Sequence, residues 1–490
     1  MQEQVSGSPW PRLEEVSEAS PLLLVGAIGT GVLFDLAVRS GTAALGAAVT
    51  VWALVVVVLA GRQTRSPGAV WCFAGAAVLA ACLVLRASPW LVLPDLAAIA
   101  LLLAAGVLVG RSGSPFDLRC STLGQRAIAL LPRLVWVPGW MLRPAVTLAG
   151  RVTARRRSDA LALVRGVAIA VPIVAVLGVL LGSADPVFAS FFKVDRGGDP
   201  TDAMLHVVLV VAGALLVGAV AAGLSSAHPA ARAGRVWLGG REALVVVSVI
   251  DVLFVLFAVA QVVAALGGGA GALRSAGVSY SEYARSGFFQ LLWVAGLTWL
   301  VVVVVRDAIP AQPGPQRRAL IVAIEVAIGL VLLIVSVAHA RLQLYEEAYG
   351  FTLLRLYSHV FAGLLAGAFV LLGACVAGVG SSRRWLLGAV GALTLAVLIG
   401  LNAVGPDDLV VRLNVERAQG TGRLDVDYLA SLSPDATPPA LAGAAGLGPE
   451  DRDALMRRIC AAPGPAGGGW ESYNVATRAA LDARRADCGR

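Results

Sequence analysis

The stretch R-R-A-L-I-V-A-I-E-V-A-I-G-L-V-L-L-I-V-S-V-A, residues 317–338, decides how this chain folds. From Ala319 to Ala338 it carries one charge, Glu325, and its length matches the roughly 20 residues that cross the hydrocarbon core of a bilayer. Backbone amides and carbonyls find no water there, so each must be satisfied within the segment, and the segment is a helix. An arginine pair closes one end, which is the mark of a cytoplasmic flank.

The same unit recurs along the chain. Eleven apolar runs are expected to span, at 21–38, 41–60, 68–85, 90–110, 162–182, 203–224, 242–266, 287–305, 319–338, 353–378 and 385–404. A composition of 58% hydrophobic and 14% charged residues, with mean hydropathy +0.80, excludes a water-soluble domain. The expected fold is therefore all-α, a polytopic transmembrane bundle, multi-pass in the cell membrane.

Arginine orients it. Every second connection is basic: Arg62 and Arg65; Arg111 to Arg157; Arg232, Arg235 and Arg241; Arg306, Arg317 and Arg318; Arg383 and Arg384. The positive-inside rule puts these connections and the N-terminus in the cytoplasm, and the odd span count puts the C-terminus outside. The formal charge of +8 sits beside membrane segments, so its expected partners are anionic headgroups and not nucleic acid.

Three regions follow: a disordered, acidic cytoplasmic tail at 1–20, the helical domain at 21–404, and a polar extracytoplasmic segment at 405–490. Within the second, residues 111–158 form a basic segment in which Arg119, Arg126 and Arg133 share a helical face, with Trp136 and Trp140 as interfacial anchors. In the third, Arg412–Gln419, Leu424–Leu432 and Asp451–Ile459 read as short helices. Cys460 and Cys488 fall on the expected oxidising side and are candidates for a disulfide.

The chain lacks a phosphate-binding loop, a Gly-x-Ser-x-Gly elbow, a His-Glu-x-x-His zinc motif and paired Cys-x-x-Cys ligands. No cofactor and no metal are expected. Ionisable and polar residues inside spans are costly and point to partners or pathways. They are Asp35, Asp95, Arg165, His206, Asp251, Gln261, Glu325 and Asn402, of which Asp251 and Glu325 lie deepest and are the candidate intramembrane carboxylates.

The densest polar group is the expected outer hairpin from His339 to His359, with Arg341, Tyr345, Glu346, Glu347, Tyr349, Arg355 and Tyr357. Gly350 ends one helix and Thr352 caps the next. Glu beside His suits acid–base chemistry, and Arg suits a phosphate. A hydrated belt anchoring two helices explains the same residues.

Four ordered motifs carry a resemblance. They are S-A-D-P-V-F from Ser183, Y-x-E-Y-A-R-x-G-F-F from Tyr280, Y-x-x-A-Y-G-x-T-x-x-R-L from Tyr345, and N-V-E-R at Asn414 followed by L-D-x-D-Y-L-x-x-L-S-P-D-A from Leu424. Over residues 160–440 the chain resembles an uncharacterised bacterial membrane family, the domain of unknown function DUF4173, which is DUF4153-like. It departs at Gly405-Pro406-Asp407, where that family tends to carry Asn before Pro-Asp. The resemblance implies a membrane fold and brings no reaction. It places Asp185, Glu282, Arg285, Tyr345, Glu346, Tyr349, Arg355 and His359 on one extracytoplasmic surface. Three functions stay open: an envelope scaffold or sensor-associated protein with an envelope protein partner, a secondary transporter using the buried carboxylates, and an integral enzyme acting on lipid-linked envelope precursors.

Overall fold

The computed structural model describes residues 21–42, 44–60, 66–109, 137, 141, 200–225, 240–263, 288–306, 309, 314–379, 385–462 and 469–489. Every regular element among them is a helix. The apolar ones are α1 (Pro21–Arg39), α2 (Leu45–Ala60), α3 (Pro67–Leu85), α4 (Pro89–Val109), α5 (Pro200–Ser225), α6 (Gly240–Val263), α7 (Phe288–Val305), α8 (Pro315–Tyr349), α9 (Leu353–Ala377) and α10 (Leu386–Val404). The polar C-terminal part holds α11 (Pro406–Thr421), α12 (Val426–Ala430), α13 (Thr437–Ala444), α14 (Pro449–Ala461) and α15 (Val475–Cys488).

Eight of the apolar helices have the length and composition to cross a membrane, while α2 and the Leu291–Val305 part of α7 are shorter. The expected span at 162–182 and the tail at 1–20 lie outside the described residues. So does the basic segment 111–158, apart from Val137 and Met141, which are buried against α5 at Gly218. Surfaces elsewhere are apolar: Val245, Val249, Val252, Leu253 and Leu256 of α6 are all exposed. A patch of that kind has no place in water and is ordinary against lipid.

The helices fall into two groups. In one, α1 to α5 bury Leu54, Phe73, Leu79 and Leu83 in a common cluster. In the other, α6, α7 and α9 pack on α8 around Ile324, Val331, Phe369 and Leu372. Helix α10 belongs to both, with Leu386 in the second cluster and Leu398 in the first. Small residues allow one close crossing, between α1 and α5. A Cβ on Gly213 would lie 2.7 Å from Phe34 Cβ and 2.9 Å from Gly31 Cα, and one on Gly31 would run into the Val210 carbonyl.

Helix termini explain where the chain turns. Pro67, Pro89, Pro315 and Pro406 open their helices, where a missing N–H costs nothing. Gly405 has φ +71° and joins α10 directly to α11. Asn is the other residue that tolerates this left-handed conformation, which reconciles the Gly here with the Asn of the resembling family. Gly suits this chain because a Cβ would sit 2.7 Å from an Arg86 nitrogen.

The C-terminal helices form a cap with its own core of Val411, Val415, Leu429, Ala440, Leu441, Leu455 and Ile459. Cys460 and Cys488 are joined, tying α14 to α15 with Cα atoms 5.6 Å apart. The cap seats on the bundle end made by the α1–α2, α3–α4 and α8–α9 turns. There Leu45 N–H donates to Tyr473 O at 3.1 Å. The Asn474 amide donates to Leu83 O at 3.0 Å and Arg86 O at 2.8 Å.

Candidate functional site

Two polar clusters meet at this end of the bundle, and the α8–α9 hairpin carries the first. Helix α8 has 35 residues, so it is about 52 Å long and outruns a hydrocarbon core of about 30 Å. Its excess length holds the polar run from His339 to Tyr349. Gly350, at φ +82°, stops α8, and Thr352 caps α9 by accepting from Arg355 N–H at 3.4 Å. The Arg355 guanidinium donates to Gly350 O and lies 4.3 Å from the Tyr345 ring centroid, a cation–π contact. Tyr345 in turn packs on Tyr349 at 4.8 Å.

The cap holds this turn. Asn414 of α11 accepts from Phe351 N–H at 3.1 Å and donates to Phe351 O at 2.8 Å. The Tyr428 hydroxyl accepts from Leu353 N–H at 2.7 Å. Burial pushes the Tyr428 phenol above its ordinary range, and the Leu353 amide opposes the shift.

Inside the hairpin four side chains form a row. His359 Nε2 lies 2.9 Å from Glu346 Oε2, and His359 Nδ1 lies 2.8 Å from His339 Nδ1. His339 Nε2 is 3.2 Å from Gln343 Nε2. Glu346 is buried near the Gly350 turn, and His339, about two helical turns further back along α8, is exposed on the helix surface.

The second cluster is the junction of cap and bundle. Asn402 Nδ2 donates to Asp95 Oδ2 at 2.9 Å. Arg86 donates from Nε to Asn402 O at 2.8 Å and stands 3.5 Å from Asp435. Asp435 accepts from Ala87 N–H at 2.7 Å, and the Ser433 hydroxyl bridges it to Asp407 at 2.6 Å on the Asp407 side. Asp95, Asp407 and Ser88 are almost wholly buried. Among the described residues, Asp95 Oδ1, Asn402 Oδ1, Asp407 Oδ2, Ser88 Oγ and the Tyr357 hydroxyl find no hydrogen-bond partner. Burial pushes the Asp435 carboxyl above its usual range, with Asp407 adding to the shift and the Ala87 N–H, Arg86 and Ser433 opposing it. The junction is acceptor-rich, with one guanidinium among three carboxylates. Among the described residues no group of three or more His, Cys, Asp or Glu side chains is placed to hold a metal ion.

Of the residues expected on one outer surface, Tyr345, Glu346, Tyr349, Arg355 and His359 come together on the hairpin. Asp185, Glu282 and Arg285 lie outside the described residues. Among the described residues, Asp251 of α6 and Glu325 of α8 each bury one carboxylate oxygen without a hydrogen-bond partner. Glu325 faces α9 at Gly373, where a Cβ would be 3.1 Å from Oε2. Asp35 and His206 meet across α1 and α5 at 2.5 Å, and Asp95 and Asn402 form the junction's bond. Sequence reasoning missed Asp407, Asp435 and Asn474 as site-forming residues. It listed Tyr357 without its Trp90 stacking partner, whose ring centroid is 5.4 Å away.

Comparison with known proteins reaches the same region. A family model described as a domain of unknown function, DUF4153, matches residues 73–442. The chain belongs to this family. The match starts at Phe73 within α3, so it takes in Arg86 and Asp95 as well as the hairpin and most of the junction. In this DUF4153 protein Asn474, the N-cap of α15, and the disulfide between α14 and α15 lie beyond it. No curated protein and no solved structure matches the chain.

Proposed function

We propose that this DUF4153 protein is an envelope scaffold of the cell membrane. Its C-terminal cap is the extracytoplasmic recognition element, and its basic loops hold anionic lipid on the cytoplasmic side. The observation that carries this reading is the way the cap is fixed. Asn474 and Asp435 bind backbone groups of the α3–α4 turn, Asn414 and Tyr428 bind those of the α8–α9 turn, and the Tyr473 carbonyl accepts from Leu45 N–H at the α1–α2 turn, so the cap is a rigid extension of the bundle. Rigid presentation favours binding because little ordering entropy remains to be lost when a partner arrives. The turns involved are those that the arginine alternation assigns outside. A cleft of about 410 Å³ between α11 and α13, lined by Arg412, Glu416, Gln419 and Pro439, offers polar contacts on a shaped surface.

The test is site-specific photocrosslinking from position 419 in native membranes, combined with flux measurements on proteoliposomes. The scaffold reading expects one discrete adduct that disappears with Arg412→Ala and Glu416→Ala, and ion or proton flux equal to that of empty vesicles. Flux that depends on Asp251 or Glu325, with no adduct, would replace it by a secondary transporter. That second reading is favoured by Asp251 and Glu325, each of which buries one carboxylate oxygen without a hydrogen-bond partner among the described residues.

A further inference from the structure

The row Gln343–His339–His359–Glu346 has a property that follows from counting its protons. The carboxylate end fixes its direction, and the amide end, with its nitrogen toward His339, agrees with it. A glutamine amide nitrogen only donates, so His339 Nε2 is the acceptor and its proton sits on Nδ1. A carboxylate only accepts, so His359 Nε2 carries the proton and its Nδ1 is bare. The middle bond then needs a donor on His339 Nδ1 and an acceptor on His359 Nδ1, which is what the two ends have left at a separation of 2.8 Å. Two neutral rings in opposite tautomers satisfy every position.

The same row also works in reverse. A proton arriving at His339 Nε2 lets the Nδ1 proton pass to His359 Nδ1, and the His359 Nε2 proton pass to Glu346. Both rings are neutral again with tautomers exchanged, and the Gln343 amide turns to accept through its oxygen. One proton has entered at an exposed imidazole and one rests on a carboxyl that is 9% exposed.

We propose that these four side chains form a single proton-binding relay, which takes a proton at His339, about two helical turns back from Glu346 along α8, and stores it on Glu346. The groups acting electrostatically on His339 are His359 and Glu346. Arg341 and Glu347 share its helix, Arg355 precedes His359 by one turn of α9, and Arg417 of α11 lies close to Gly350. The relay stands independently of what the cap binds.

The experiment uses the full chain in lipid nanodiscs with ¹⁵N-labelled histidine, of which the protein has four. His339→Asn and His359→Asn assign the signals. At about pH 8, above the ordinary histidine range, His339 is expected as the Nδ1–H tautomer and His359 as the Nε2–H tautomer. On acidification both should exchange tautomer in one step. Glu346→Gln keeps an acceptor for His359 but cannot store the proton, and it should change the proton affinity of His339 by about tenfold or more. In the background His359→Phe that effect should shrink to the direct through-space influence of the Glu346 charge on His339. Both rings as Nε2–H tautomers in the wild type, or a His339 titration indifferent to Glu346→Gln, would overturn the relay.

Discussion

Asn474→Ala isolates what holds the cap to the bundle. The wild-type side chain has three bonds: two donated to Leu83 O and Arg86 O at the end of α3, and one accepted from Thr477 N–H as the N-cap of α15. The α3 carbonyls belong to a helix end that has no further amides of its own to offer them. Losing the cap costs about 1 kcal/mol, and losing two hydrogen bonds costs about 1 kcal/mol each. The sum of about 3 kcal/mol corresponds to roughly a hundredfold change in an opening equilibrium. The disulfide to α14 keeps α15 attached, so the loss should appear as local opening and leave the bundle intact. Hydrogen exchange of the solubilised protein, read by mass spectrometry over α15 and the α3–α4 turn, should therefore accelerate by about two orders of magnitude. Asn474→Ser restores the cap alone and should recover about 1 kcal/mol. Acceleration under about threefold for Asn474→Ala would refute the reasoning, since a single hydrogen bond is already worth more than that.

Two other outcomes test the packing and the junction. Gly31→Ala places a methyl against the Val210 carbonyl and should lower stability by about 1–3 kcal/mol, seen as an earlier thermal unfolding transition; an unchanged transition would show that α1 and α5 do not cross there. Asp435 has its folded pKa raised above the ordinary 3.8, so the folded state holds its proton more tightly than the unfolded chain does. The wild type is then most stable relative to Asp435→Asn below about pH 4 and loses ground as pH rises through the elevated folded value. Unfolding both proteins across the acidic to neutral range measures this, and a pH-independent difference would contradict it.

Length and apolarity made the helices legible because a bilayer imposes one simple requirement on any segment that crosses it. Gly350 and Thr352 marked the hairpin for the same kind of local reason. What joins distant segments was illegible. Asp95 and Asn402 are 307 positions apart, Asp35 and His206 are 171 apart, and neither member of a pair names the other. The His339–His359 contact had a readable signal, since antiparallel helices bring together residues at similar distances from their turn, and these two stand on either side of Gly350. Asp407 and Asp435 looked like ordinary polar residues of a soluble appendage. Their burial comes from the cap being seated on the bundle, which no local pattern encodes.

The position of α10 between the two apolar clusters has a mechanical consequence. Only Gly405 separates it from α11, and α11 runs about 24 Å into the cap over its 16 residues. A rocking of the two helix groups that tilted α10 by about 10° would carry the far end of α11 through about 4 Å. A tilt of α10 would thus be carried into a displacement of the cap, with Arg86, bonded to the Asn402 and Ala403 carbonyls at the end of α10, as its fulcrum.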